Sequence, residues 1–338
     1  MLKYSLFFYL QIIMATSWQQ QLKKALSGHN TAAIQSQPNY SEAAAKLFKT
    51  VVTEEVTLAI KNEPSSDVLL RQFMPMAAET VHHPEFKLDP VGDHDALARQ
   101  GIIHKYYGRV LVIASGSCAV NCRYCFRRHF PYQQQLGARQ KWKSLITYLK
   151  QQPEIHEVIL SGGDPLTLTT EHLRRLTDQL RTLDSITTLR IHSRIPTVLP
   201  ERIDDNLLDW LTQLPLQKVL VTHINHSLEI TPAAALALNK ITQTGTTLLN
   251  QSVLLKSVND DVEVLSELSH NLFKHGILPY YLHVLDRVQN AAHFEVDIAT
   301  AGQIYSKLQA RLPGYLLPKM VQEVAGQSSK SPVNVKPE

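Results

Sequence analysis

The chain has 338 residues, 44% of them hydrophobic, enough to bury a large core in one α/β domain or two smaller ones. Its 34 lysines and arginines against 30 aspartates and glutamates leave a formal charge of +4, too mild to call for a nucleic-acid or membrane partner. All three cysteines fall between positions 118 and 125, which argues against a disulfide-stapled secreted scaffold and for a reducing, cytoplasmic compartment.

In chain order, Lys3 is followed by the apolar run YSLFFYLQIIM at 4–14, long enough for the core of a signal peptide and too short to span a bilayer. An export signal suits a metal-binding thiol cluster poorly, so residues 1–14 are set aside as a doubtful prefix and Met14 is the expected start. Residues 15–103 read as a helical extension, with Ala44, Leu47 and Val51 at helix spacing and a loop at 62–67. His82-His83 invites a metal reading, but adjacent histidines on a Pro-rich loop belong in water.

From 104 to 302 the pattern changes. Strand-like runs at 109–113, 157–160, 188–191, 218–222, 246–249 and 279–284 alternate with helical segments near 140–150, 170–183, 204–214, 232–244 and 261–275. Such alternation predicts parallel strands with right-handed crossovers, in a doubly wound sheet or a complete or partial β/α barrel. Polar motifs favour the barrel. The cysteine loop, Ser161-Gly-Gly-Asp164, His192-Ser-Arg194, His223-Ile-Asn-His226, Gln251-Ser252 and Asp286 all lie at or just past a strand's C-terminal end, where barrels place their sites. Residues 303–338 are expected to form one more helix, at 303–312, and a segment closing the barrel mouth.

Cys118, Cys122 and Cys125 stand at C-x3-C-x2-C spacing, and three soft thiolates on one loop suit iron–sulfur or zinc. No fourth cysteine exists, so a cubane cluster held here keeps one iron open for chemistry. The alternative is a structural Cys3His zinc site completed by His129; three crowded thiols make a poor disulfide. Gly162-Gly163 after a strand would let backbone approach a ligand closely, though the same residues make an ordinary turn. Arg127-Arg128 reads as a solvated pair, a phosphate patch or a fork for a carboxylate.

With the cysteine spacing, Tyr124 before the last cysteine and the run at 161–164, the chain resembles the radical S-adenosylmethionine enzymes. More narrowly, the segments 118–131 (CAVNCRYCFRRHFP), 191–194, 222–226, 250–255 and 280–286 are similar to the lysine 2,3-aminomutase group, and within it to the elongation factor P β-lysylation branch. The likeness runs from about Asp67 to the C terminus. It implies a partial (β/α)6 TIM-type barrel over 104–302 and a [4Fe–4S] cluster on Cys118, Cys122 and Cys125. It further implies S-adenosylmethionine held by Gly162, Gly163, Asp164, His223 and Gln251, and pyridoxal phosphate on Lys330 near Arg109. Arg127 would take the α-carboxylate of L-lysine, and Asp286 with Glu323 its ε-ammonium, Glu323 standing where the free-lysine enzymes carry aspartate. By composition alone Lys330 is a solvated charge in a Ser/Pro-rich tail; the run Ala325-Gly-Gln-Ser-Ser before it matches the β-lysylation branch.

The implied activity is that of an isomerase, an intramolecular aminotransferase turning L-lysine into β-lysine, in the (R) form, for elongation factor P and its β-lysine ligase. The absence of a cysteine cluster after the barrel favours that branch over longer catabolic enzymes. The implied electron donor is of flavodoxin or ferredoxin type; no nucleic acid or membrane is involved, and a homo-oligomer is compatible. A catabolic aminomutase, or one acting on another amino acid, stays open. So does a zinc-dependent RNA-binding module that uses the cysteine loop and Arg127-Arg128.

Overall fold

A computed structural model of the protein describes residues 17–62, 67–136 and 141–333, and the apolar run at 4–14 lies outside them. Ten strands form one sheet in the order β1 to β10. Its centre is β3 (Arg109–Ser115), β4 (Glu157–Gly162), β5 (Thr188–Ser193), β6 (Gln217–Thr222), β7 (Thr247–Val253) and β8 (Ile277–His283), each paired in parallel with the next. These are the six anticipated strands, and with their crossover helices they make the partial (β/α)6 barrel.

The outer helices form where the sequence supplies both an apolar stripe and a cap. In Thr170–Leu180 the buried positions are Leu173, Leu176, Thr177 and Leu180, one face at helix spacing. Its first turn is closed by Thr169, whose hydroxyl accepts from the His172 N–H, and Asp204, Thr231, Asp261 and Asp297 cap four later helices in the same manner. Those stripes pack on strand residues such as Val158, Leu160, Leu189, Ile191 and Leu220 in one continuous core.

Residues before 104 are not helical throughout. Among the described residues, five short helices between Trp18 and Arg71 lead into a hairpin of β1 (Leu97–Arg99) and β2 (Ile102–Tyr106), and β2 pairs antiparallel with β3. The extension is thus part of the barrel sheet, and a boundary drawn at 103/104 cuts through β2. Trp18 fixes the first helix to the barrel's outside, its indole N–H donating to Asp204 at 3.1 Å and its ring lying 4.5 Å under the Arg202 guanidinium. At the other edge the last helix starts at Ile298, five residues earlier than its apolar pattern suggested, because Asp297 caps it. After it, β9 (Lys319–Gln322) runs parallel to β8, and β10 (Ser331–Pro332) returns antiparallel. Among the described residues no helix is long and apolar enough to cross a membrane.

Candidate active site

The loop after β3 carries the three cysteines and is held from behind by its own arginines. Arg123 forks onto both oxygens of Glu79, Nε to Oε1 at 2.9 Å and Nη2 to Oε2 at 2.6 Å, while its Nη1 donates to the Phe48 carbonyl at 2.7 Å. Arg128 shares Glu79 Oε2 at 2.9 Å, and all three side chains are sealed from solvent. Arg127 is buried as well. Arg127-Arg128 is therefore neither a solvated pair nor a phosphate patch, and the reading of this loop as an RNA-binding face fails on that burial.

The three thiols are unpaired. Burial, aggravated by the neighbouring cysteines, pushes the Cys118 thiol well up and that of Cys125 to about 11. Three half-buried thiols on one loop offer a cation three soft donors, so the donor set fits a metal cluster. A single zinc ion fits less well. Among the described residues no three Cys, His, Asp or Glu side chains converge on one ion, and His129 Nε2 is engaged with the Gln289 carbonyl oxygen at 3.3 Å. Of the pair His82-His83, His82 is exposed, and His83 is half-buried with its ring 5.7 Å from that of Phe86.

The end of β4 lies directly against this loop. Gly162 has φ +108°, and a Cβ on Gly163 would come within 2.4 Å of the Ser117 carbonyl oxygen, so both glycines are required by close backbone approach. Gly163 N–H donates to Ser115 at 2.7 Å, Asp164 N–H to Ser117 at 2.8 Å, and the Tyr132 hydroxyl to the Gly162 carbonyl at 2.8 Å. The Asp164 carboxylate is fully engaged inside the protein. It accepts from Ser193 Oγ at 2.8 Å and from the N–H groups of Leu166, Arg194 and Ile195 at 3.0, 2.7 and 3.2 Å. Burial lifts its pKa to about 6 against those hydrogen bonds. It ties β4 to β5 beneath the cysteine loop.

Next along the barrel, Gln251 Nε2 lies 3.3 Å from His223 Nε2, and the His223 and His192 rings are 5.8 Å apart. Burial and surrounding cations keep His192, His223 and His283 neutral, His223 at about 3. Arg109 stands at the start of β3, with its guanidinium 4.8 Å from the Tyr106 ring, and its charge reaches Tyr281, whose ring lies 5.9 Å from the Lys330 amine.

The acids and bases expected to bind substrate are joined by two residues that motif reading missed. Arg127 Nη1 donates to Ser161 Oγ at 3.0 Å and its Nε to Asp93 Oδ2 at 2.7 Å. Asp93 Oδ1 pairs with Lys105 at 2.7 Å, Lys105 with Glu323 Oε1 at 2.8 Å, and Glu323 Oε2 with Lys330 at 2.6 Å. The result is one alternating chain of charge, Arg127–Asp93–Lys105–Glu323–Lys330. Against the burial that would raise it, Lys330 and Lys105 hold Glu323 at about 2, and Arg127 with Lys105 likewise lowers Asp93. Asp286, half-buried nearby, goes the other way: desolvation and the Glu323 charge lift it to about 7. Asp93 belongs to no motif, and the one available signal for Lys105 was a cation inside the apolar strand β2.

The model of the Radical SAM superfamily matches residues 112–268. An L-lysine 2,3-aminomutase of Haemophilus influenzae is 46% identical over 86% of this chain and 86% of its own length. One of Escherichia coli is 43% identical over 87% and 85%. A third, of Acetoanaerobium sticklandii, is 32% identical over 85% of this chain and 69% of its own length.

Proposed function

Since the chain belongs to the lysine 2,3-aminomutase family of radical S-adenosylmethionine enzymes, we propose that it is an L-lysine 2,3-aminomutase that makes β-lysine with a [4Fe–4S] cluster, S-adenosylmethionine and pyridoxal phosphate. Cys118, Cys122 and Cys125 would hold the cluster, Gly162, Gly163, His223 and Gln251 the S-adenosylmethionine, and Lys330 the pyridoxal phosphate, with Arg109 beside it. The close packing of Gly163 on Ser117 supports a ligand shared between the β4 end and the cysteine loop. Asp164 would act there by orienting backbone, since its carboxylate is occupied. When bound, the cluster and S-adenosylmethionine supply a carbon-centred radical, and pyridoxal phosphate supplies an aldehyde for the migrating amine.

The observation that carries the reading is the charge chain. Arg127 is fixed on two sides by Asp93 and Ser161, so its fork has one direction in which to meet the substrate's α-carboxylate. Arg127, Lys105 and Lys330 stand against Asp93, Glu323 and Asp286, three potential cations against three potential anions. A Lys330 amine bound to an aldehyde no longer offers its charge to Glu323 Oε2. The ε-ammonium of lysine would take that place on Glu323, while its α-carboxylate is met by Arg127. The three imidazoles, held neutral, put no imidazolium acid in this part of the barrel.

Within the family we assign the chain to the branch that supplies (R)-β-lysine for elongation factor P through a ligase, in the cytoplasm, with an electron donor of flavodoxin or ferredoxin type. Supporting this is the run Ala325-Gly-Gln-Ser-Ser before Lys330, which resembles that branch. The test is anaerobic reconstitution with iron and sulfide, then incubation with lysine, S-adenosylmethionine, pyridoxal phosphate and reductant, followed by chiral chromatography. (R)-β-lysine is the expected product; the (S) form would transfer the chain to a catabolic role, and no β-lysine from a loaded cluster would overturn the substrate.

A further inference from the structure

Behind the cysteine loop lies a buried polar cluster that none of the proposed roles uses, and Arg194 is its centre. Arg194 follows the end of β5 and is 6% exposed. Its Nη2 is taken by Glu229 Oε2 at 2.6 Å and Gln72 Oε1 at 2.7 Å. The other nitrogen, Nη1, lies 2.8 Å from Cys122 Sγ and 2.5 Å from the Tyr124 hydroxyl. The guanidinium plane is bounded by the rings of Phe73 at 4.8 Å and Tyr124 at 5.8 Å. Asn225 completes the surround, donating to the Tyr124 hydroxyl at 2.6 Å and to Gln72 at 3.0 Å, while its own N–H donates to Glu229 at 2.8 Å.

This arrangement is more specific than a structural ion pair requires. Glu229 alone would neutralise Arg194, and a guanidinium needs no sulfur acceptor. Instead the fork is locked from behind so that one N–H is presented to a single cysteine of the three. A cationic donor on a ligand sulfur withdraws electron density from it and stabilises the form of the cluster that carries one more electron. Seen from Cys122, Arg194 is the one described cation within hydrogen-bond distance of the sulfur.

We propose that Arg194 is a positioning residue that sets the reduction potential of the cluster, raising it through the charge and hydrogen bond it delivers to Cys122. The inference rests on the reading of Cys118, Cys122 and Cys125 as cluster ligands. Glu229 tempers the effect by placing a negative charge on the far side of the guanidinium, and Gln72 and Asn225 fix the distance.

Reconstituted wild type, R194Q and R194K proteins are titrated with dithionite and read by the electron paramagnetic resonance signal of the reduced cluster, with iron and sulfide counted per chain. In R194Q the reduced-to-oxidised ratio at a fixed potential falls about tenfold, a shift of about 59 mV to lower potential for a one-electron couple. R194K, which keeps a charge and loses the fork, shifts in the same direction by less. A merely structural Arg194 would lower cluster content or melting temperature and leave the midpoint of the loaded fraction unchanged, and that result would overturn the proposal. Where R194Q fails to load, R194K decides by the same criterion. Wild type that takes up zinc without iron or sulfide would instead sink the cluster assignment itself, a failure distinguishable from an unmoved midpoint.

Discussion

Asp286 is the half-buried carboxyl that the fold leaves closest to titrating at neutral pH. Its pKa near 7 exceeds the 3.8 of an ordinary aspartate, so between those two values the folded protein keeps a proton that the unfolded chain has released. Folding stability contributed by this group therefore falls as pH rises from about 4 to about 7 and stays low above that. At about 1.36 kcal/mol per unit the penalty at pH 8 is on the order of 4 kcal/mol. In cofactor-free protein, D286N should match wild type near pH 4.5 and be more stable at pH 8, which urea unfolding at the two values would measure. The same proton matters to substrate. An arriving ε-ammonium favours the ionised carboxyl, so the KM for lysine should fall between pH 6 and pH 8 in wild type and be higher and flatter in D286N.

At the scale of elements, the cysteine loop depends on the short 3-10 turn Ala77–Thr80, because Glu79 is the one carboxylate against which Arg123 and Arg128 are both paired. Replacing it by glutamine leaves two buried guanidinium groups without a counter-charge, a cost of roughly 3–5 kcal/mol. E79Q should therefore lower stability by about that amount and also reduce the iron bound per chain after reconstitution. Thr169→Ala is the control: it removes a helix cap on the barrel's outside, costs about 1 kcal/mol and should leave iron binding intact. Equal iron loss in both variants would mean that general destabilisation, not the Glu79 clamp, governs the loop. Five of the six barrel strands were readable to within two residues because each is a run rich in β-branched residues, leucine or tyrosine, while β7 runs four residues past its expected end, through the polar Asn250-Gln251-Ser252. The edge strands were not: Leu97–Arg99 and Ser331–Pro332 are too short to show a period, and the second contains a proline.

Taken as a whole, the molecule makes its site from contacts that local pattern cannot carry. The cysteine loop, the glycines after β4 and the polar strand ends were visible because each is contiguous in sequence. The charge chain was visible only in part: Arg127, Glu323 and Lys330 came from resemblance, whereas Asp93 and Lys105, which connect them, are paired across 34 and 218 positions. That chain joins the hairpin before the barrel to the two strands after it, so the N-terminal and C-terminal edges of the sheet meet at Glu323. A ligand held covalently at Lys330 should consequently stabilise the whole fold and not the tail alone. Mass action gives about 2.7 kcal/mol at a hundredfold excess over Kd, so pyridoxal phosphate should raise the melting temperature of wild type by a few degrees. K330A should show neither that rise nor the absorbance of a lysine-bound pyridoxal. It should nevertheless melt cooperatively, because Lys105 still pairs with Glu323 and holds the two edges together. Retained absorbance with an unchanged rise in K330A would move the cofactor to another amine, and Lys105, the nearest in the chain of charge, would be the next to replace.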